Sequence, residues 1–218
     1  MSDVMSWKLR PVAGVILFSA MFSCVGMAEM VPIVNPSFEV LPAGGLPIVC
    51  GITCAYSLGA VIPGWTSTGG PFGQLIMGGY ALNPDATDGV VMAWSNFGTI
   101  SQDVGLAVAG VTYTLSVDLL HRTDSAFAGT MALLLGGSPV AGLLTGADPG
   151  AGNWGTFTET YTATGADAGQ TLRIQLNSSG SQGDYDNVQL DATPELGTML
   201  LVASALTGFG LLNRKRKS

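Results

Sequence analysis

The feature that most limits the fold of this chain is a series of short runs in which apolar and polar residues alternate. The clearest run, VTYTLSVDLL from residue 111, places apolar residues at every second position, with threonine, serine or aspartate between them. A period of two is that of a β-strand with one buried face. The other such runs lie at residues 89–94, 99–104, 130–135, 156–162, 171–177 and 185–190.

The segments between these runs carry turn chemistry, as in GADPGAGN and SSGSQGD. Glycine tolerates positive φ, and the side chains of Asn and Asp bond to the local backbone. We expect residues 41–80, which are rich in Gly and Pro, to form long loops with at most one or two strands. Seven or more short strands without a helical pattern between them predict an all-β, two-sheet antiparallel β-sandwich.

The N-terminus has the layout of a secretory signal peptide. Lys8 and Arg10 precede an apolar run at residues 12–25, and GMA follows with small residues at the positions that a signal peptidase reads. We predict a signal helix in residues 1–28, cleaved after Ala28. Lipoprotein processing at Cys24 is disfavoured by the large residues Met21 and Phe22 before it. The remaining body, residues 29–192, is predicted to be one domain.

The C-terminus has the layout of a membrane anchor. Residues 196–212 contain no charge, and a helix there would be about 25 Å long, just enough to span a bilayer. Clustered basic residues stay on the cytoplasmic side, which places the body outside. The cluster consists of Arg214, Lys215, Arg216 and Lys217.

This tail, residues 193–218, resembles the PEP-CTERM sorting tail of Gram-negative bacteria. Pro194 and Glu195 precede the apolar span, and the third position holds Leu196 where the family usually has a second proline. The resemblance implies recognition by an exosortase. It also implies passage through the inner membrane to the cell surface or the extracellular matrix. A plain single-pass anchor is the alternative.

The charge of the body excludes some partners. Arg122 and Arg173 stand against thirteen acidic residues in 29–193. Such a surface repels nucleic acid and anionic lipid, so we expect no nucleic-acid partner. Cys50 and Cys54, in CGITC, are exported to a compartment where disulfides form, which favours a bridge between them. Two thiols and His121 are too few ligands for zinc.

The order of several short motifs resembles the galactose-binding-like jelly roll of carbohydrate-binding modules. These motifs are VPIVNPSFEV, VIPGWTSTGG, DGVVMAWSNFGTISQDV and YDNVQL. In that family two carboxylates meet at a structural Ca²⁺, which implies Glu39 and Asp186 as ligands here, with Asp88 as a third candidate. Asp186 shares its predicted strand face with Val188 and Leu190, so it points inward, where an unpaired charge is costly. Solvated strand-end acids are the alternative interpretation.

Exposed aromatic residues serve such modules as stacking platforms, and Trp154 and Tyr80 lie beside Gly-rich loops. We name no catalytic residue, because His121 has no partner identifiable from sequence. The sequence therefore predicts an exported, non-catalytic protein that adheres to polysaccharide or to matrix proteins. A structural surface protein without a ligand and a small glycoside-active enzyme are the alternatives.

Overall fold

The computed structural model describes residues 28–195. Among them the only helix is a short 3₁₀ turn, Tyr80–Leu82, and no helix in this part of the chain could cross a membrane. All other regular secondary structure in residues 28–195 consists of β-strands. The predicted signal helix up to Met27, the predicted membrane span 196–212 and the basic cluster Arg214–Lys217 lie outside the described residues.

Fourteen strands form two antiparallel sheets, in agreement with the predicted sandwich. The first sheet has nine strands: β1 (Glu29–Met30), β2 (Ile48–Val49), β3 (Ala55–Tyr56), β5 (Phe72–Ile76), β6 (Met92–Ser95), β8 (Val111–His121), β11 (Leu143–Thr145), β12 (Asn153–Thr162) and β14 (Gly183–Pro194). The second sheet has five strands: β4 (Thr66–Gly69), β7 (Gly98–Leu106), β9 (Gly129–Leu135), β10 (Ser138–Pro139) and β13 (Thr171–Ser178).

The core lies between the inner faces of the two sheets. Its fully buried members include Leu115 of β8, Leu133 of β9, Ile174 of β13 and Tyr185 of β14. These residues come from alternating runs, and each run predicted as a strand overlaps a strand, although β6 begins at Met92 and not at residue 89. One buried face per strand is what makes the period of two visible in the sequence.

Residues 41–80 depart from the prediction, because they contain four strands, β2 to β5, rather than one or two. These strands are short, and the second residue of β5 is Gly73. A Cβ on Gly73 would lie 1.9 Å from the carbonyl oxygen of Ser57, so the strand runs too close to its neighbour for any side chain. Glycine at such a position removes the alternation by which strands are recognised.

A β-bulge in β14 changes which side chains share a face. The register with β8 shifts between Asp186 and Gln189, and Asn187 has a left-handed backbone, φ 48°. Tyr185 and Val188 therefore both face the core, while Asp186 contacts residues on the outer side of the first sheet. Asp186 is fully buried, as expected, but on the face opposite to Val188.

The outer face of the first sheet is covered by the loop between β5 and β6, which contacts Trp154 through Asp85 and Asp186 through Thr87. A second hydrophobic cluster forms there, separate from the core. Its buried members are Cys54, Leu75, Met77, Met92, Trp94 and Leu120. Both faces of the centre of this sheet are thus buried, which creates an enclosed environment on the outer side.

Candidate functional site

A pocket of about 430 Å³, here called the main pocket, opens on this outer face. One wall is apolar and aromatic, with Tyr56, Leu58, Pro71, Leu75, Met77, Tyr80, Trp94 and the two cysteines Cys50 and Cys54. The other wall is polar and consists of Asn96, Arg122 and Gln182. A concave apolar site with a few polar groups is the usual form of a small-molecule site.

A disulfide between Cys50 and Cys54 closes the β2–β3 hairpin over this pocket. The Cys50 amide also donates to the carbonyl of Cys54 at 3.0 Å. Below the hairpin, the rings of Tyr56 and Trp94 meet edge to face, with centroids 6.0 Å apart. The hairpin is thereby held as a fixed wall that presents aromatic surface to the pocket.

The polar wall stands in front of a buried carboxyl. Asp184, at the start of β14, has no solvent exposure, and its Oδ1 accepts a hydrogen bond from Gln182 Nε2 at 2.6 Å. Arg122 Nη1 lies 3.6 Å from Asp184 Oδ2, an ionic contact that is too long for a hydrogen bond. The Asp184 side chain thus lies directly behind two residues of the pocket wall.

The charges around Asp184 do not balance if every carboxyl is ionised. Arg122 is already paired with Asp124 through two bonds, Nε to Oδ1 at 2.8 Å and Nη2 to Oδ2 at 2.7 Å. The bonds from Arg122 lower the pKa of Asp124. Burial raises the pKa of Asp184 to about 6, in spite of the opposing effect of Arg122. One guanidinium cannot neutralise two carboxylates, so the buried carboxyl keeps its proton up to about pH 6.

Three buried polar atoms around the main pocket have no hydrogen-bond partner within residues 28–195. They are Trp94 Nε1, Asn96 Oδ1 and Asp184 Oδ2. Buried polar groups in folded proteins are nearly always paired, so orphans that cluster at a pocket require an explanation. A bound molecule with both donors and acceptors would supply the missing partners.

The residues proposed as calcium ligands hold one loop from two sides. Asp186 Oδ2 accepts from the amides of Thr87 and Asp88 at 2.6 and 2.8 Å. Glu39 Oε1 accepts from the amides of Val90 and Val91 at 2.8 and 2.7 Å. Asp88 contributes its amide, and its side chain is exposed. Within the described part of the chain no group of three His, Cys, Asp or Glu residues is arranged to hold a metal.

Asp118 is a further carboxylate beside Asp186 that the sequence analysis did not connect with it. The two residues are paired across β8 and β14, and both are buried. The hydroxyl of Thr87 lies 2.8 Å from Asp118 Oδ2 and 3.0 Å from Asp186 Oδ2, although it has one proton to donate. Burial raises the pKa of Asp186 to about 6.

The two predicted aromatic platforms lie in different places. Tyr80 lines the main pocket and keeps 42% of its surface exposed. Trp154 lies outside the pocket lining, packs against the outer hydrophobic cluster, and donates its indole N–H to the carbonyl of Asp85 at 2.8 Å. Only Tyr80 therefore faces a cavity that a ligand could enter.

The start of the predicted sorting tail is attached to the domain. Pro194 is the last residue of β14 and pairs with Val111, so the strand runs past the predicted domain end at residue 192. The amide of Glu195 donates to the carbonyl of Gly110 at 2.9 Å.

Comparison with known proteins identifies the family. Residues 29–191 match the family model HpiC1-like, described as HpiC1 cyclase. The chain belongs to the HpiC1-like cyclase family. No curated protein sequence matches it.

Solved structures of similar fold include cyclases. The Stig cyclase Fisc from Fischerella sp. TAU, in complex with (3Z)-3-(1-methyl-2-pyrrolidinylidene)-3H-indole, is 22% identical, with a TM-score of 0.61 over 77% of this chain and 99% of that chain. A cyclase from the same organism, in complex with 4-(1H-indol-3-yl)butan-2-one, is 20% identical, with a TM-score of 0.57 over 76% and 98%. The CBM22-1 xylan-binding domain of Paenibacillus barcinonensis Xyn10C is 14% identical, with a TM-score of 0.48 over 77% and 97%.

The prediction of a non-catalytic protein is wrong, because this HpiC1-like chain belongs to a family of cyclases. That prediction relied on sequence motifs for nucleophiles and paired bases. The main pocket shows a different arrangement, in which one buried carboxyl lies behind Arg122 and Gln182. The available signal in the sequence was that Arg122 is one of only two basic residues in the body.

Proposed function

We propose that this protein is a cyclase that closes a ring within one apolar substrate by acid catalysis in the main pocket. The observation that carries the proposal is the position of Asp184, a fully buried carboxyl directly behind the polar wall of an otherwise apolar and aromatic pocket. A general acid needs a pKa near the working pH, and burial brings the pKa of Asp184 to about 6.

The proposed reaction is an isomerisation that needs no second reactant. The protonated Asp184 carboxyl gives its proton to a π bond of the substrate, which leaves a carbocation. A second π bond of the same molecule attacks this cation and forms the new carbon–carbon bond. Loss of a proton to the Asp184 carboxylate then completes the ring and restores the acid.

The pocket walls have separate roles in this scheme. The aromatic faces of Tyr56 and Trp94 stabilise positive charge, as ring quadrupoles do for cations nearby. The apolar wall excludes water, which would otherwise capture the carbocation. Because Gln182 bonds Asp184 Oδ1 and lies between it and the pocket, its side chain turns aside before the proton is transferred.

We propose an indole with an unsaturated side chain as the substrate class. The two cyclases of similar fold were solved with indole compounds, and the main pocket is large enough for a bicyclic ring. Its orphan indole N–H on Trp94 and orphan oxygen on Asn96 suit a ligand with polar atoms on a largely apolar frame.

The test is turnover of 3-alkenyl indoles by the purified protein, in water and in D₂O. We expect a product of unchanged mass with one additional ring in water, and one incorporated deuterium in D₂O. Asp184→Asn should abolish turnover but leave binding of 4-(1H-indol-3-yl)butan-2-one within a few fold. The proposal is contradicted if the wild-type protein neither turns over nor binds any indole.

Carbohydrate binding is a second candidate, supported by the exposed ring of Tyr80 on the pocket wall and by the jelly-roll motif order in the sequence. Titration of the wild-type protein and of Tyr80→Ala with xylo-oligosaccharides separates carbohydrate binding from the cyclase function.

For the cellular context we propose export by the signal peptide and recognition of the tail from Pro194 onward by an exosortase. Fractionation of cells with and without the last 25 residues tests that proposal.

A further inference from the structure

A second pocket lies against the main pocket on the other side of its polar wall. This outer pocket has a volume of about 300 Å³ and shares Asn96, Arg122 and Gln182 with the main pocket. Its remaining lining consists of Phe97, Asp124, Ser125, Gly180 and Ser181. The two cavities thus share three polar side chains that both of them contact.

Phe97 is exposed and backbone-strained at the rim of the outer pocket. It lies in the two-residue turn between β6 and β7, with 71% of its surface exposed and a left-handed φ of 52°. Glycine or asparagine suits such a turn better than a bulky aromatic residue. The strain persists because the turn is fixed by bonds of Asn96 N to Pro71 O, 2.8 Å, and Gly70 N to Phe97 O, 3.1 Å.

The ring of Phe97 contributes little to the packing of the described fold, since it belongs to neither hydrophobic cluster. Strained residues that stabilise nothing around them concentrate at functional sites. An exposed ring at the rim of a polar pocket offers a flat face on which a ligand group can stack.

The polar atoms of the outer pocket indicate which ligand group fits. Asn96 Oδ1 and Ser125 Oγ are buried without partners among residues 28–195, so one acceptor and one hydroxyl await a ligand. Arg122 is already bound by Asp124 and faces Asp184, which leaves no positive charge for an anion. An uncharged group that both donates and accepts hydrogen bonds satisfies these atoms.

We propose that the outer pocket is a second binding subsite, which holds an uncharged hydrogen-bonding group of the substrate, such as an amide, against the ring of Phe97. The subsite rests on the proposed function, because it binds the far end of the substrate that reacts in the main pocket. The substrate is therefore elongated and amphipathic. Asn96 and Gln182 orient it by contacting both of its parts.

The experiment compares three fluorescent probes in direct binding to the purified full-length protein. Naphthalene fills the main pocket only, 4-(2-naphthyl)butanamide adds an uncharged hydrogen-bonding group, and 4-(2-naphthyl)butanoate adds a charge. We expect the amide to bind at least tenfold more tightly than naphthalene. The butanoate should bind no more tightly than naphthalene, because the carboxylate of Asp124 lines the outer pocket and repels it.

Two variants assign the difference to the outer pocket. Phe97→Asn keeps a residue suited to the left-handed turn and removes the ring, so it should fold at least as stably and lose most of the amide advantage, with naphthalene affinity unchanged. Leu143→Ala is the control, since Leu143 is also 71% exposed but lies on the edge strand β11.

The outcomes separate this inference from the proposed function. Equal affinity for naphthalene and the amide, or an amide advantage that survives in Phe97→Asn, overturns the subsite alone. If no probe binds at all, the main pocket is not a site for apolar aromatic molecules, and the proposed function fails with it.

Discussion

Burial of Asp184 links the stability of the fold to pH. The folded state holds this carboxyl with a pKa of about 6, against 3.8 for an ordinary aspartate, so it binds the proton more tightly than the unfolded chain does. The stabilising contribution is complete below about pH 4 and is lost as the pH rises through 6. A difference of about two pKa units corresponds to about 3 kcal/mol.

Asp184→Asn should therefore gain stability relative to the wild type as the pH rises. We expect the difference in free energy of unfolding to move in favour of the variant by up to about 3 kcal/mol between pH 4 and pH 7. Urea unfolding across this range measures it. Asp103→Asn is the control, because Arg173 lowers the pKa of Asp103 on the second sheet, so its difference from the wild type should stay nearly constant above about pH 5. If the free energies of unfolding of the wild type and of Asp184→Asn change in parallel with pH, the pKa of Asp184 is that of an ordinary carboxyl.

At the scale of single residues, the sequence allowed candidate residues to be selected by type, but it did not show which residues contact one another. Tyr80 could be selected from its place beside a Gly-rich loop, and it does line the main pocket. Asp184 could not, because its importance depends on Arg122, which is 62 positions away in the chain and reaches it only when β8 and β14 pair. Phe97 has an apolar side chain of the kind found in protein cores. It is exposed because of the turn in which it lies.

The bulge in β14 determines which acids face the outer side of the first sheet. Asn187 adopts φ 48° there, and its Nδ2 donates to Asp118 Oδ2 at 3.1 Å. Asparagine tolerates a left-handed backbone, whereas a β-branched residue does not. The bulge is what allows Asp186 to face outward while Tyr185 and Val188 both face the core.

Asn187→Val should destabilise the protein by about 2 to 3 kcal/mol, because valine is strained in this conformation and cannot bond Asp118. Asn187→Gly keeps the backbone and loses the side-chain bonds to Asp118 and to the exposed Gln189, so its loss should be about 1 kcal/mol. Guanidinium unfolding of both variants measures the difference. If the valine variant is as stable as the glycine variant, residue 187 does not maintain the bulge.

Strands could be predicted from the sequence where only one face of the strand is buried. They could not be predicted where two backbone segments lie too close together for a side chain between them. β8 pairs with β12 and β14 along most of its length, and its alternation is clear in the sequence. β5 is also internal to the sheet, but its glycine lies against Ser57 and interrupts the pattern. The bulge does leave a signal in the sequence, because Asp186 and Asn187 are adjacent polar residues that interrupt the alternation of YDNVQL where the register shifts.

For the whole molecule, the two faces of the first sheet have different roles. The inner face packs against the second sheet and forms the core, while the outer face carries the second cluster, the disulfide-closed hairpin and the main pocket. Alternation in the sequence predicts the inner face. The outer face depends on how the loop of residues 77–91, between β5 and β6, folds back over the sheet, which involves contacts between distant parts of the chain and leaves no periodic signal.

The stability of the whole fold provides the test of calcium, which we propose at Glu39 and Asp186. Both carboxylates hold the loop from Thr87 to Val91. Asp186 and Asp118 share one hydroxyl proton, so this buried site carries excess negative charge that a cation would neutralise. Because the side chains do not complete a ligand set, backbone carbonyls would supply further oxygens.

We expect calcium to raise the melting temperature by several degrees, since a ligand at about a hundred times its Kd stabilises by about 2.7 kcal/mol. EDTA should reverse the rise, and Asp186→Asn should abolish the response. Asp103→Asn is the control, because Asp103 pairs with Arg173 on the second sheet. A wild-type melting temperature that is the same in calcium and in EDTA would show that the direct hydrogen bonds from Asp186 and Glu39 hold this loop without a metal.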